Sequence, residues 1–92
     1  MAGRGTMRML SAHYDYLAAA VKPVMTAELY AEYRRNRLSY TRFVFDCMYR
    51  ACRNDRTLGS WINSVLYKYL NDSHIGTALR RMAKEVGLAD YD

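Results

Sequence analysis

The apolar residues of the stretch SHIGTALRRMAKEVG, at positions 73–87, recur every three or four positions, and this spacing strongly constrains the fold. The apolar positions are Ile75, Ala78, Leu79, Met82, Ala83 and Val86. A period of 3.6 residues places them on one side of an α-helix, whereas the residues of a half-buried strand would alternate. Gly87 is the residue type that commonly follows the end of a helix. The stretch therefore predicts an α-helix with one buried side.

Four earlier segments show the same periodicity and are also predicted to be helical. They cover about residues 12–22, 27–37, 40–53 and 61–70. Pro23 follows the first segment and is expected to end it, because proline cannot donate a helical hydrogen bond. Thr26 and Ser39 precede the second and third segments and are residue types that cap helix N-termini.

A chain of 92 residues has room for one hydrophobic core. We therefore expect an all-α fold, a small single-domain bundle of about five short helices over residues 11–88. Residues 1–10 are predicted to form a flexible N-terminal tail, and residues 89–92 a C-terminal tail.

The third segment has the widest apolar surface, and it is expected to lie at the centre of the bundle. Its apolar arc consists of Tyr40, Phe43, Val44, Cys47, Met48 and Ala51. The remaining narrow strip is polar and consists of Arg42, Asp46, Tyr49, Arg50 and Arg53. Within this strip Asp46 is predicted to pair with Arg50, one helical turn further along.

The net charge of +5 is concentrated in the middle of the chain. Between positions 34 and 56 lie seven arginines and only two acids, Asp46 and Asp55, while the rest of the chain is balanced. The arginines are Arg34, Arg35, Arg37, Arg42, Arg50, Arg53 and Arg56. A basic centre attracts phosphate backbones or acidic protein surfaces, although a solvated polar face would have the same composition.

Signatures of catalysis, metal binding and membrane insertion are not found in the sequence. His13, His74, Cys47 and Cys52 include no pair with the close spacing of a zinc site. Both cysteines lie on the apolar side of their segment and are expected to be inert, reduced thiols. The longest aliphatic run, LAAAV, is too short to cross a bilayer. We expect a cytoplasmic protein that is not an enzyme and needs no cofactor or metal.

Two binding functions are compatible with these features. The first is docking on an acidic surface of a larger protein, since Tyr and Arg are enriched at interface hot spots. Tyr16, Tyr49 and Tyr67 are predicted to point outward. The candidate docking residues are Arg34, Arg35, Arg37, Arg42, Tyr49, Arg50 and Arg53.

The alternative is a nucleic-acid-binding regulator. Helices at 61–70 and 73–86 with a short turn between them have the lengths of a helix-turn-helix, whose second helix reads the major groove. The candidate contact residues are Thr77, Arg80, Arg81 and Lys84. Three features oppose this function: the turn lacks glycine, Gly76 lies inside the second helix, and Asp72 would repel phosphates.

The stretch YLNDSHIGTALRR resembles a run found in small phage and prophage proteins, in which a YLND-x-HI-x-TALRR ending follows a helix with an RF…D pattern. The matching positions are Tyr69–Asp72, His74–Ile75 and Thr77–Arg81, and upstream Arg42–Phe43 with Asp46. The resemblance implies no activity for particular residues.

A phage setting implies a function in binding, either as a regulator or as an inhibitor of host defence such as an anti-CRISPR. Many such inhibitors are acidic mimics of DNA, and a basic chain does not fit that group. We therefore expect a non-enzymatic accessory protein that covers an acidic host surface, in the host cytoplasm, with its oligomeric state left open.

Overall fold

A computed structural model of the chain describes residues 14–54, 56, 60 and 73–91. These residues form four α-helices and no β-strand, which confirms the all-α prediction. Helix α1 runs through residues 14–21 and continues into a 3-10 turn, Lys22–Val24. Helices α2, α3 and α4 cover Ala27–Arg35, Tyr40–Asn54 and Ser73–Glu85. The predicted count of about five helices therefore becomes four within this part of the chain. The predicted helix at 61–70 and the predicted tail at 1–10 lie outside the described residues.

The N-termini of α2 and α3 are capped by the predicted side chains. The backbone N–H of Leu29 donates to the hydroxyl of Thr26 over 3.1 Å. In α3 the N–H of Arg42 donates to the hydroxyl of Ser39 over the same distance. Each cap satisfies one of the N–H groups that has no partner within the helix. The starts of both helices were therefore predictable from local sequence.

Helix α4 ends in a Schellman motif built around Gly87. The N–H of Leu88 donates to the carbonyl of Ala83 over 2.8 Å, and the N–H of Gly87 donates to the carbonyl of Lys84 over 3.0 Å. Gly87 has a φ of 89°, a left-handed conformation that costs glycine little because it has no Cβ. The predicted role of Gly87 at the end of this helix is confirmed.

Helix α2 ends in the same motif, but with an arginine in the left-handed position. The N–H of Leu38 donates to the carbonyl of Tyr33, and the N–H of Arg37 donates to the carbonyl of Arg34. Arg37 has a φ of 57°, a conformation that costs an L-residue about 1–2 kcal/mol. This turn ends α2 at Arg35, two residues earlier than the hydrophobic pattern predicted.

Helix α3 lies at the centre of the core, as predicted. It packs against α4 and also contacts α2 and the 3-10 turn. The largest fully buried side chains come from α1, α3 and α4, and they are Val21, Tyr40, Phe43, Val44, Cys47, Met48, Ile75, Leu79 and Met82. No polar or charged residue among the described positions is buried. The core is therefore largely apolar, and the hydroxyl of the fully buried Tyr40 is satisfied by the carbonyl of Leu88.

The C-terminal segment packs against the bundle instead of extending from it as the predicted tail. Leu88 is buried, and its carbonyl accepts a hydrogen bond from the hydroxyl of Tyr40 over 3.2 Å. The hydroxyl of Tyr30 donates to the carbonyl of Ala89, and the hydroxyl of Tyr91 donates to the carbonyl of Leu38. Residues 88–91 therefore belong to the packed domain.

Several of the nine tyrosines of the chain lie in the core or pack against it. The ring of Tyr30 meets the rings of Phe43 and Tyr91 edge to face, with centroids 5.5 and 5.4 Å apart. The rings of Tyr40 and Tyr91 are also perpendicular, at 5.5 Å. Such pairs contribute packing while the hydroxyl of each tyrosine reaches a polar partner. Of the residues predicted to point outward, Tyr16 and Tyr49 are exposed as expected, and Tyr67 lies outside the described residues.

Two glycine-to-alanine substitutions in and after α4 are expected to change stability in opposite directions. Gly87→Ala should lower the free energy of unfolding by about 1 kcal/mol, because alanine is strained at a positive φ. Gly76→Ala should raise it by about 0.5–1 kcal/mol, because the one described atom that a Cβ there meets is Phe45 Cε2, at an ordinary 3.9 Å, and alanine favours the helix. Urea unfolding followed by circular dichroism measures both values. Equal effects of the two substitutions would contradict the described end of α4.

Candidate partner-binding surface

The exposed side of α3 carries the basic strip predicted from the sequence. Arg42, Tyr49, Arg50 and Arg53 are all exposed, and Tyr49 has the most accessible of the large apolar side chains described, at 55%. The strip follows from helical geometry. Residues three, four or seven positions apart lie on the same side of a helix. Because the apolar arc of α3 lies in the core, the residues on the opposite side of α3 face solvent. We call these four residues, together with Arg35 of α2, the arginine face.

Arg35 joins the arginine face across a shallow groove between α2 and α3. The groove has a volume of about 470 Å³ and is lined by Val24, Thr26, Glu28, Leu29, Glu32, Arg35 and Arg50. Arg35 of α2 and Arg50 of α3 thus line the same groove. Glu28 and Glu32 bring two carboxylates to the same edge, and neither forms an ion pair with another described residue. The arginine face therefore has an acidic border on its α2 side.

The one acid within the α3 strip, Asp46, is held by two other residues. The hydroxyl of Tyr33 donates to Asp46 Oδ2 over 2.6 Å, and Arg42 Nε lies 3.7 Å from the same oxygen. Burial, together with the hydrogen bond to this carboxylate, raises the pKa of Tyr33. The structure pairs Asp46 with Arg42, so the predicted ion pair with Arg50 is wrong. Helical spacing allows either partner, since both arginines lie four residues away.

Most of the arginines between positions 34 and 56 form no ion pair with another described residue. Four pairs are formed: Lys22 and Arg81 with Glu85, Arg42 with Asp46, and Arg80 with Asp90. The described bases that make no ion pair with another described residue are Arg34, Arg35, Arg37, Arg50, Arg53, Arg56 and Lys84. All of them except Lys84 lie between positions 34 and 56. The charge concentration seen in the sequence is thus also a concentration of bases that form no ion pair within the part of the chain that the structure describes.

Two of the seven predicted docking residues lie apart from the arginine face. The guanidinium of Arg34 lies over the rings of Tyr30 and Tyr91, 5.8 and 5.6 Å from their centroids. Arg34 therefore belongs to the packing of the C-terminal segment, where a cation over an aromatic ring is favourable. Arg37 is exposed in the turn that ends α2.

Of the four residues proposed for nucleic-acid contact, two are exposed without an ion pair to a described residue and two are bonded to acids of the same chain. Thr77 and Lys84 are exposed on α4. Arg80 Nη1 lies 2.5 Å from Asp90 Oδ2, and its guanidinium lies over the ring of Tyr40. Arg81 Nε donates to Glu85 Oε2 over 3.1 Å. Two of the three basic groups are thus held by acids of the same chain, which weakens the nucleic-acid hypothesis for α4.

A cluster around Glu85, which the sequence analysis did not identify, connects the two ends of the domain. Lys22 Nζ lies 2.8 Å from Glu85 Oε1, and the hydroxyl of Tyr14 donates to the same oxygen over 2.5 Å. Arg81 completes the cluster, with its guanidinium 4.3 Å from the centroid of the Tyr14 ring. The hydrogen bonds from Lys22, Tyr14 and Arg81 lower the pKa of Glu85 to about 2. Only the contact between Arg81 and Glu85, four residues apart, has a signal in the sequence.

The two cysteines and the metal-capable side chains of the described residues can be judged from their surroundings. Burial raises the pKa of the Cys47 thiol to about 12, so this group stays protonated at neutral pH and is a poor nucleophile. Cys47 is buried and Cys52 half-buried, close to the placement predicted for both. In the part of the chain that the structure describes, no three His, Cys, Asp or Glu side chains are grouped so that they could hold a metal ion. None of the helices described is long and apolar enough to cross a membrane.

Comparison with known proteins identifies no relative of this chain. No protein-family model matches it, and neither a curated protein nor a solved structure matches it. The resemblance to small phage proteins therefore stays a prediction that depends on the residues quoted above.

Replacing Glu85 by glutamine is expected to remove part of the acid sensitivity of the fold. Because the pKa of Glu85 is about 2 in the folded chain and ordinarily 4.5, the unfolded chain binds more protons between these values. Its contribution to stability is complete above pH 4.5 and is lost as the pH falls toward 2. Glu85→Gln should therefore be less stable than the unsubstituted protein at pH 7, and the difference should shrink at low pH. Thermal unfolding between pH 2 and 7 measures this change.

Glu32→Gln is the matched control for this experiment. Glu32 is an exposed helical glutamate that makes no ion pair with another described residue. Its substitution should leave the pH dependence of unfolding close to that of the unsubstituted protein. Coincident curves for Glu85→Gln and the unsubstituted protein would contradict the structural role of this cluster.

Proposed function

We propose that this protein is a non-enzymatic accessory protein of a phage or mobile element, which docks its arginine face onto an acidic surface of a host protein. The observation that carries this proposal is the group of arginines between positions 34 and 56 that form no ion pair with another described residue. Arginine presents a planar fork of donors that matches a carboxylate, and its charge persists at every physiological pH. Such a surface is suited to a partner that presents clustered Asp or Glu side chains.

The side chains among the arginines favour a protein partner. Tyr49 lies within the arginine face and is more than half exposed. An exposed tyrosine flanked by arginines is the composition found at the centres of protein interfaces, where the ring is buried on binding. A phosphate backbone offers no comparable pocket for the ring.

The acidic border of the arginine face also supports a protein partner. Glu28 and Glu32 line the groove beside Arg35 and Arg50. These carboxylates would repel a phosphate backbone that followed the arginines, whereas a protein surface can place a base opposite them. Alternating charges of this kind set the register of a complex and exclude wrong partners.

The proposed mechanism is inhibition by occupancy, as for an anti-CRISPR-like inhibitor of a host defence machine. The arginine face would raise the rate of encounter with an acidic host surface by electrostatic steering. Once docked, a rigid helical domain would exclude the surface from its normal substrate or subunit. This mechanism needs no catalytic group, and it requires only that the face be held rigidly by the α3 core.

The alternative function is that of a nucleic-acid-binding regulator that uses α4. Thr77 and Lys84 are the exposed residues that support it. Arg80 and Arg81 would first have to leave Asp90 and Glu85 before they could contact phosphates. Each lost phosphate contact reduces both the affinity and its dependence on salt. We therefore rank this function second.

Charge reversal at single residues tests the docking proposal. Arg53→Glu should reduce the recovery of a specific host protein from a bacterial lysate by about tenfold or more, since a central interface arginine contributes more than about 1.4 kcal/mol. Quantitative mass spectrometry of proteins captured on the immobilised chain gives this ratio. Lys84→Glu is the matched control, because it changes the net charge equally at an exposed base outside the arginine face. It should leave recovery nearly unchanged.

Two outcomes would contradict docking through the arginine face. One is an equal loss of captured protein for Arg53→Glu and Lys84→Glu, which would indicate a response to net charge alone. The other is tight, salt-dependent binding of duplex DNA at about 50 mM salt that Lys84→Glu abolishes and Arg53→Glu preserves. The second result would support the nucleic-acid alternative. Fluorescence anisotropy with labelled single-stranded and duplex DNA provides this measurement.

A further inference from the structure

A second basic site lies at the first turn of α3, where α4 and the C-terminal segment meet. It is a pocket of about 260 Å³ lined by Tyr40, Arg80, Lys84, Leu88, Ala89 and Asp90. None of these residues belongs to the arginine face. The pocket is smaller than the usual site for a drug-sized ligand, so it suits a single small group.

Arg80 is held in this pocket by three contacts. Its Nη1 donates to Asp90 Oδ2 over 2.5 Å, and its Nη2 donates to the hydroxyl of Thr41. Its guanidinium carbon lies 5.2 Å from the centroid of the Tyr40 ring. A guanidinium that is already positioned loses little side-chain entropy when it binds an anion.

Lys84 adds a second positive charge to the same pocket. It lies one helical turn after Arg80 on α4, so the two side chains share a face of the helix. Lys84 makes no ion pair with another described residue. Among the described lining residues, two cations, Arg80 and Lys84, thus stand against one carboxylate, that of Asp90.

The carboxylate of Asp90 shows that this pocket accommodates an anionic group beside Arg80. Its carboxylate is supplied by the C-terminal segment, and its side chain is 48% exposed, so an external anion can reach Arg80 without opening the core. Tyr40 and Leu88 provide an apolar floor for the group that carries the anion. We propose that this pocket is an anion-binding site, which takes one carboxylate or phosphate group of a ligand in exchange for the carboxylate of Asp90.

The exchange makes a specific prediction for inorganic phosphate and acetate as probes. Titrating each into the full-length protein at constant ionic strength should shift the backbone amide NMR signals of Tyr40, Lys84 and Ala89. Asp90→Asn should tighten binding several-fold, because it removes the competing carboxylate. Lys84→Ala should weaken binding several-fold, because it removes a charge that has no other described ion-pair partner. Arg53→Ala, on the arginine face, is the control and should leave both affinities unchanged.

These measurements distinguish the two chemical classes of ligand, and they also include results that would overturn the proposal. Tighter binding of phosphate than of acetate would indicate a phosphorylated ligand, and the reverse order would indicate a carboxylate; both support the site. Equal affinities for Asp90→Asn and the unsubstituted protein would overturn the exchange. A response of Lys84→Ala no different from that of Arg53→Ala would overturn the site itself. Neither result depends on whether the arginine face binds a host protein, since the two sites share no residue.

Discussion

The burial of one side of α3 against α4 determines where the other parts of this small domain lie. Fully burying a large apolar side chain stabilises a fold by about 1.5–3 kcal/mol, and α3 buries Phe43, Val44 and Met48 completely. Opposite them, Leu79 and Met82 of α4 are equally inaccessible. An exposed ion pair contributes much less to the free energy of folding than the burial of these side chains. The orientation of α3 about its own axis is thus set by its apolar arc, and the arginines follow on the other side.

Three acids of the domain, Glu85, Asp90 and Asp46, lie where they hold elements together. Glu85 joins α1 to α4, and Asp90 joins the C-terminal segment to α4. Asp46 accepts a hydrogen bond from the hydroxyl of Tyr33 and thus links α3 to α2. Each of these carboxylates compensates a base near a junction between elements. On α3, Arg50 and Arg53 are left without an ion pair to another described residue.

The sequence predicted features that depend on local spacing and missed those that depend on the fold. The 3.6-residue period located α2, α3 and α4, and residue type alone identified the caps Thr26 and Ser39 and the end at Gly87. The same period predicted the exposed strip of α3. The contacts of Tyr14 with Glu85, 71 residues apart, have no local signature. The packing of Tyr40 on the C-terminal segment, across 48 residues, has none either, and this is why residues 89–92 were predicted as a tail.

The guanidinium groups of Arg35 and Arg53 on the arginine face form no ion pair with another described residue, whereas those of Arg80 and Arg81 on α4 are each held by a carboxylate. Nuclear relaxation of the arginine Nε–Hε groups measures this difference directly, because it reports side-chain order on the picosecond-to-nanosecond timescale. Arg80 and Arg81, each bonded to a carboxylate and placed over a tyrosine ring, should show high order parameters. Arg35 and Arg53 should show low ones. Equal order at all four arginines would contradict the account, because the face proposed for docking would then already be occupied by the chain itself.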